Sequence, residues 1–294
     1  MKKIDTRAVF VKIPKKCIES KNNKTVSCLI YCFINMNRFL NKSRFSIYSF
    51  MEWCGVKYDV RKDKVNQSFL DAFVELIDLG VISTDIDFSK FAINKHNFDK
   101  LLTFEINDDM FEMKNDFALV YLDEILKISR LSQNAKSVKI LDIFRVLAYL
   151  RYHIPKRNNY DADKKLIEAY MCFYRDISEY LNISEKKVSN SIKVLKELEI
   201  IHLRHIRKRC DDKDGNKWRT FHTIFANSYS RKIKNNSVES ELSGEEYYLP
   251  EIKMLMKLER FEFLFGAYCI AKKKYSRFNT DEEESDGFDF ETLE

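Results

Sequence analysis

The sequence predicts a mainly α-helical protein with small β-hairpins, and three observations favour this class. Gly and Pro are scarce, at 6 and 3 of 294 residues, which disfavours a turn-rich β architecture. Hydrophobic residues make up 45% of the chain, enough to fill packed cores. Over residues 173–225, two helical patterns lead into two alternating segments, and a weaker copy of this order occurs 119 residues earlier.

The first part of that stretch is a predicted helix-turn-helix. Apolar spacing predicts a short helix over 174–183 and a second helix that runs from Ser184 to about Leu198. Ser184 is a natural N-cap, and Lys187 occupies the position where a capping box would have Glu. The second helix repeats its apolar residues with a 3.6-residue period, so we expect it to bury one face and expose the other.

A hairpin is predicted directly after the second helix. Residues 202–209 and 217–225 alternate like strands, and the turn between them, 211–216, contains an Asp-Gly pair. Helix, turn, helix and hairpin in this order are typical of a winged helix. The predicted fold is therefore two tandem winged helix-turn-helix domains with small β-hairpin wings, plus a C-terminal helix and an acidic tail.

The exposed side of this module carries residue types that suit a DNA duplex. Lysine and arginine neutralise phosphates, and Ser and Asn hydrogen-bond to base edges in the major groove. On the second helix the candidates are Lys186, Lys187, Ser189, Asn190 and Lys193. On the hairpin they are Arg204, Arg207, Lys208, Arg209, Lys217 and Arg219. The alternative is a solvated charged surface used only for protein contacts.

The first half of the chain carries the weaker copy of the pattern. A strand is predicted at Val9–Pro14, followed by a helix that Thr25 can cap and that runs to about Phe39. A further helix is predicted over Ser43–Gly55, with Gly55 just past its end. A third helix is predicted over Lys64–Leu79, closed by Gly80 and followed by a strand.

The repeat depends on two short matches. Leu79-Gly80-Val81-Ile82 corresponds to Leu198-Glu199-Ile200-Ile201 at an offset of 119. Phe10-Val11-Lys12-Ile13 resembles Phe117-Ala118-Leu119-Val120, and each is followed by a loop and a long apolar helix, the second over 138–152. The pattern strand, helix, helix, helix, strand is therefore predicted to occur twice.

The predicted domain organisation follows from these patterns and from the polar, acidic segment 107–115, which marks a boundary. The predicted parts are a first domain over 1–107, a second and main DNA-binding domain over 116–232, a linker over 233–249, a C-terminal helix over 250–277 and a disordered acidic tail over 278–294.

The first domain has fewer candidates for DNA contact. Lys62, Lys64, Asn66 and Gln67 are predicted to reach a duplex. The possible wing of this domain, 83–106, holds acids and lysines in nearly equal number. Protein contact or self-association is therefore an equally open function for the first domain.

Charge is distributed unevenly along the chain. The net charge is +6, but residues 281–294 hold eight acids and no base, so residues 1–280 carry +14. A basic body with an acidic tail is a pattern of nucleic-acid-binding proteins. Phe288 and Phe290 lie among the acids, so the tail is predicted either to serve as a docking peptide or only to keep the terminus soluble.

The predicted C-terminal helix has a wide apolar stripe that includes Phe261, Leu264, Phe265 and Tyr268. A stripe of this kind does not face water in a stable monomer. We therefore expect a homodimer, with packing of the helix on its own body as the alternative.

Seven scattered cysteines, an odd number, favour a reducing cytoplasm, and no secretory signal or membrane-spanning segment is predicted. Cys28 and Cys32 lie four apart on one helix without a nearby His or Cys pair, which predicts buried core thiols rather than a zinc site. No phosphate-binding loop, dinucleotide motif or other catalytic pattern is found. The chain is therefore predicted not to be an enzyme and to need no cofactor.

Residues 10–106 and 117–227 resemble the winged-helix modules of plasmid and phage replication initiators and of DnaD-like replisome organisers. The strand Phe10–Pro14 before a long helix, the helix end at 79–82 and the helix-turn-helix over 174–201 carry the resemblance. It implies origin binding through tandem modules, often as dimers, with recruitment of replication or helicase-loading proteins. The acidic tail is the segment expected to dock them. The tryptophan-bearing C-terminal motif of the DnaD-like proteins is missing here.

Three functional hypotheses remain open at this point. The first is a sequence-specific binder of double-stranded DNA that acts as a replication initiator at the origin repeats of a plasmid or phage. The second is a winged-helix transcriptional regulator, and the third is a non-catalytic protein-interaction or assembly module.

Overall fold

The computed structural model of the chain describes residues 9–37, 41–107, 109–112, 116–132, 139–154, 169–211 and 217–227. These residues form helices and small antiparallel sheets, as expected for the predicted mainly α class. The chain divides into two compact units, one of residues 1–152 and 177–198 and one of residues 153–176 and 199–294. The predicted linker, C-terminal helix and acidic tail lie outside the described residues.

The elements before residue 113 alternate between short strands and helices. In chain order they are β1 (Phe10–Pro14), α1 (Lys15–Ile18), α2 (Thr25–Ile34), β2 (Met36–Asn37), β3 (Lys42–Phe45), α3 (Ile47–Trp53), α4 (Asp63–Asp78), β4 (Ile82–Ser83), a 3₁₀ turn (Phe88–Lys90), α5 (Lys95–Asp99), β5 (Leu102–Ile106) and α6 (Asp109–Glu112).

The elements after residue 115 follow a similar order. They are β6 (Phe117–Tyr121), α7 (Leu122–Ser132), α8 (Ile140–His153), β7 (Ala169–Cys172), α9 (Tyr174–Leu181), α10 (Glu185–Glu197), β8 (Ile201–Asp211) and β9 (Lys217–Asn227). No described helix is long and apolar enough to cross a lipid bilayer.

The strands form three antiparallel sheets. The four-stranded sheet has the order β2-β3-β5-β4, and the three-stranded sheet has the order β7-β9-β8. Within the four-stranded sheet, the order β3-β5-β4 matches the order β7-β9-β8 of the three-stranded sheet. In the sequence, α3 and α4 lie between β3 and β4, and α9 and α10 lie between β7 and β8. The third sheet pairs β1 with β6, so the two strands that matched in the sequence repeat are hydrogen-bonded to each other.

Several predicted elements are confirmed. β1 forms within the predicted strand Val9–Pro14, and β6 begins at Phe117, where the sequence repeat placed a matching strand. Helix α4 agrees with its predicted bounds to within one residue. Gly55 and Gly80 adopt φ angles of 71° and 68° just past the ends of α3 and α4. A glycine reaches this left-handed region without the steric cost that a Cβ atom imposes, so both helices end where the sequence predicted.

Two predictions about the first half are wrong. Helix α2 ends at Ile34 rather than near Phe39, and Thr25 is not its N-cap but a buried residue whose hydroxyl donates to the carboxylate of Glu75. The predicted helix over Ser43–Gly55 is a strand followed by a helix. The strand β3 alternates exposed and buried residues and pairs with β5, and Ser46 then caps α3 by accepting a hydrogen bond from the N–H of Ser49.

The core of the first unit is organised around α8. Every side chain from Ile140 to Arg151 is buried. The indole of Trp53 stacks on the ring of Phe144 with centroids 5.5 Å apart, and the guanidinium of Arg145 donates to the carbonyl of Ser20. Residues on both sides of the predicted boundary at 107–115 therefore share one core, and the predicted domain bounds stay a prediction.

The cysteines of the first unit belong to this core. Cys17, Cys28 and Cys32 have no exposed surface, and Cys54 is 4% exposed, in agreement with the prediction of core thiols. Burial raises the pKa of Cys17 to about 12 and raises the pKa of Cys28 and Cys54 well above the usual thiol value. The thiols of Cys17, Cys28 and Cys54 therefore stay protonated at neutral pH.

Candidate nucleic-acid interface

The candidate interface is built on the helix-turn-helix formed by α9 and α10. Ile177 and Leu181 bury one face of α9. The turn begins at Asn182, whose φ angle is 49°, and the N–H of Ile183 donates back to the carbonyl of Ser178 at 3.1 Å. Asn tolerates this left-handed conformation better than most residues, so the chain can reverse within three residues before α10 starts.

Helix α10 has one buried and one exposed face, as predicted. Val188, Ile192 and Leu195 are at most 1% exposed, and Ser191 lies among them at 2%. The five residues predicted to contact DNA are all exposed: Lys186, Lys187, Ser189, Asn190 and Lys193. The amphipathic period thus sets which side chains are available to a ligand.

One further lysine belongs to the exposed face. Lys196 is exposed and lies three residues after Lys193, which places the two on the same side of the helix. Lys196 is not among the predicted DNA contacts, although its spacing from Lys193 is sufficient to place it on the same face. Ser184 occupies the N-cap position, as predicted, but its side chain makes no capping hydrogen bond.

Two lysines connect α10 to the helices that come before it in the chain. Near its N-terminus, the ammonium of Lys187 lies 3.3 Å from the carboxylate of Asp142 in α8. Just past its C-terminus, the ammonium of Lys127 in α7 donates to the carbonyl of Leu198 at 3.1 Å. A lysine is favourable there because the last carbonyls of a helix are unpaired and carry partial negative charge. Helix α10 is thus held at both ends.

Asp142 was missed in the sequence analysis. It lies in α8, far from the helix-turn-helix in sequence, and its side chain is only 7% exposed. Two signals point to it: a single carboxylate inside an apolar run, Ile140-Leu141-Asp142-Ile143-Phe144, and the unexpected lysine at the third position of α10. Neither signal identifies the pairing by itself, because the contact is between distant parts of the chain.

The segment predicted as a wing contains the strands β8 and β9, which pair antiparallel. Arg207 is in register with Phe221, Arg209 with Arg219, and Asp211 with Lys217. Asp211 is therefore the last residue of a strand rather than part of the turn. The buried residues Leu203 and Phe225 are paired in register further along the same two strands.

The strand positions of the six basic wing candidates are thus described, and their contacts with DNA stay a prediction. These residues are Arg204, Arg207, Lys208, Arg209, Lys217 and Arg219.

The four residues of the first half that are predicted to contact DNA do not form one exposed surface. Asn66 has no exposed surface, and its amide donates to the carbonyl of Asp59, so the prediction that it reaches a duplex is corrected. The amide of Gln67 donates to Asp71 at 2.6 Å. Lys62 and Lys64 are exposed, and Lys62 lies 3.8 Å from Asp59.

Within the described part of the chain, no group of three or more His, Cys, Asp or Glu residues is arranged to hold a metal ion.

Comparisons with known proteins add little to this geometry. No protein-family model matches the sequence, and no curated protein matches it. Among solved structures, the chain is similar to a crystal structure of domains 2 and 3 of RctB, with 10% sequence identity and a TM-score of 0.28. The match covers 71% of this chain and 83% of that one. A TM-score of this size assigns neither a fold nor a function, so any functional conclusion must come from the residues of this chain.

Proposed function

We propose that this protein binds double-stranded DNA sequence-specifically, with α10 as the helix that enters the major groove. The observation that carries the proposal is the exposed face of α10. Four lysines, Ser189 and Asn190 are exposed there, opposite a face on which Val188, Ile192 and Leu195 are buried. Lysines anchor a helix to phosphates, and an exposed Asn is the side chain best suited to hydrogen-bond adenine in the groove.

The order of the elements along the chain supports a winged helix that includes α10. A strand precedes α9, and two longer strands follow α10 in the order β7-β9-β8. The first half repeats this order with β3-β5-β4 and the helices α3 and α4. We infer two tandem winged helices, of which the second is the main DNA-binding module.

The biological role that we propose is initiation of replication at the origin repeats of a plasmid or phage. This role is supported by the resemblance to plasmid and phage replication initiators, which implies origin binding through tandem modules. A transcriptional regulator would use the same helix in the same way. The location of the bound sites distinguishes the two roles, because repeats within an origin and an operator within a promoter are different targets.

The test begins with selection of binding sites from random double-stranded DNA by the full chain, followed by sequencing. We expect an enriched sequence motif. Asn190→Ala should weaken discrimination at one base pair by about 1–3 kcal/mol. Lys186→Ala with Lys193→Ala should weaken binding to all sequences about equally and lower the slope of log affinity against log salt by about 1.8.

A matched control removes the same charge elsewhere. Lys95 and Lys100 are exposed and flank or belong to α5, outside the proposed interface. Lys95→Ala with Lys100→Ala should leave the motif and the salt slope unchanged. If the control variant and the α10 variant lose affinity equally, the binding is a general effect of net charge, and α10 is not the reading helix. No affinity for DNA at low salt would favour the protein-interaction hypothesis.

A further inference from the structure

Lys187 differs from the other candidate residues of α10 in its partner. Within the described part of the chain, it is the lysine of α10 that pairs with an acid of another helix, Asp142 of α8. Among the described residues, the ammonium of Lys193 pairs with the carboxylate of Glu197 in the same helix, at 3.8 Å. Lys187 is predicted from the sequence to contact phosphates, and its ion pair with Asp142 changes that expectation.

The pair is asymmetric in its exposure. The side chain of Asp142 is 7% exposed and that of Lys187 is 45% exposed. A buried carboxylate needs a nearby cation, because the interior solvates it poorly. One oxygen of Asp142 lies 3.3 Å from Lys187, and its other oxygen has no hydrogen-bond partner among the described residues. Lys187 is therefore a main source of compensation for that charge.

Lys24 and Arg145 also interact electrostatically with Asp142, but among the described residues Lys187 is the cation that forms an ion pair with it. Arg145 is hydrogen-bonded to another group. It lies three residues after Asp142 on α8, but its guanidinium donates to the carbonyl of Ser20. Its Nε has no hydrogen-bond partner in the described part of the chain. Removal of Lys187 would thus leave Asp142 without its nearest ion-pair partner.

The pair also explains the position of Lys187 in the sequence. A lysine in the first turn of a helix is unfavourable, because the unpaired N–H groups there carry partial positive charge. A capping box would place Glu at this third position. A lysine is compatible with this position because the carboxylate of Asp142 in α8 offsets its charge.

We propose that Asp142 and Lys187 are positioning residues for DNA recognition, and that Lys187 is not a phosphate contact. Their ion pair fixes the first turn of α10 on α8. Lys186, Ser189 and Asn190, which are exposed on the first two turns, then meet the duplex in one orientation. This inference rests on the proposed function, since it concerns how the same helix is aimed.

The experiment measures binding of the full chain to its selected site and to random DNA over a range of salt concentrations. Lys187→Met keeps most of the side-chain stem and removes the charge. We expect it to lower the ratio of specific to random affinity about tenfold, similar to the loss of one base contact, and to leave the salt slope unchanged. Lys186→Met, the matched control on the neighbouring exposed residue, should lower the slope by about 0.9 and leave the ratio unchanged.

Two variants of Asp142 complete the design. Asp142→Asn retains the lysine but removes its partner, and we expect the ratio to fall as it does for Lys187→Met. The double variant Asp142→Leu with Lys187→Met removes both charges together, and it should recover the parental ratio and slope, because an apolar pair can replace a buried ion pair. Circular dichroism establishes which variants are folded.

The proposal is overturned if Lys187→Met behaves like Lys186→Met, with a slope lower by about 0.9 and an unchanged ratio. Should Lys187→Met fail to fold, the double variant decides: a parental slope supports the proposal, and a slope lower by about 0.9 contradicts it. Failure of the proposed function looks different. In that case the parent protein itself shows no preferred sequence, and the positioning role falls with it.

Discussion

Helices α4 and α10 occupy corresponding places in the two halves of the chain, but their exposed surfaces differ in charge. Both bury the same three positions at an offset of 119: Phe69, Phe73 and Leu76 in α4, and Val188, Ile192 and Leu195 in α10. The sequence of α4 contains four acids and one lysine, whereas that of α10 contains four lysines and two glutamates.

The comparison separates what the fold requires from what a ligand would require. The buried positions must be apolar in both helices, because each helix needs one face packed against its own core. The outward positions are under no such constraint, so one helix can be acidic and the other basic. An acidic face repels phosphates, and α4 is therefore a poor candidate for insertion into a groove, whichever partner it serves.

Charge reversal on the two helices is the strongest test of whether their difference in charge determines DNA binding. Lys186→Glu with Lys193→Glu should lower DNA affinity at about 0.1 M salt by roughly 100-fold or more, because two phosphate contacts become two repulsions. Lys62→Glu with Lys64→Glu makes the same change at the start of α4. We expect less than about a threefold loss there, since exposed charges distant from the duplex are screened by salt. Fluorescence anisotropy with a labelled duplex measures both.

An equal loss in the two double variants would mean that α4 also contacts DNA. The difference in surface charge would then have no functional meaning. A loss confined to the α4 variant would assign DNA binding to the first half instead.

The two asparagines that were both predicted to contact DNA give a second test. Asn66 is fully buried and its amide is hydrogen-bonded, so Asn66→Ala should lower the free energy of unfolding by about 1–3 kcal/mol without changing the preferred DNA sequence. Asn190 is exposed, so Asn190→Ala should change stability by less than about 0.5 kcal/mol and weaken sequence preference. Urea denaturation and site selection measure the two effects.

The opposite results for Asn66→Ala and Asn190→Ala would contradict the assignment of Asn66 to the core and of Asn190 to the DNA-binding surface. If Asn66→Ala leaves stability unchanged but alters the selected sequence, the first half takes part in recognition. The position of Asn66 in the structure would then not be the one used when DNA is bound.

Local patterns in the sequence were sufficient to predict α4, α10 and the ends of several helices. The 3.6-residue period fixes which face of α10 is exposed, because that period depends only on residues within one helix. Gly55 and Gly80 marked helix ends for an equally local reason, their freedom to adopt positive φ. The exposed candidates of α10 were therefore predicted correctly as a surface.

Contacts between distant segments could not be predicted in the same way. The sequence predicts a helix where β3 forms, because β3 is stabilised as a strand by pairing with β5, about sixty residues later in the chain. The burial of Asn66 and the pairing of Lys187 with Asp142 likewise depend on segments brought together by folding. The sequence thus predicted the exposure of residues on a single helix better than it predicted the hydrogen bonds and ion pairs that residues form with distant segments.

The smallest expected effect concerns the residues that end the two helices. Gly80 follows α4 with a φ angle of 68°, and Glu199 follows α10 with a φ angle of 55°, again at an offset of 119. The two halves therefore make the same left-handed turn, but only one of them does so with glycine. A non-glycine residue in this conformation costs roughly 1 kcal/mol, because its Cβ atom crowds the backbone.

We expect Glu199→Gly to raise the free energy of unfolding by about 0.5–1 kcal/mol and Gly80→Ala to lower it by about 1 kcal/mol. The side chain of Glu199 is exposed, and a Cβ atom added at Gly80 would meet no other atom within 4 Å, so backbone conformation is the main difference in both variants. Glu197→Gly, within the last turn of α10, is the matched control and should be destabilising, since glycine weakens a helix where φ is negative. If Glu199→Gly is also destabilising, the turn after α10 is not left-handed in solution, and the correspondence between the two helix ends is lost.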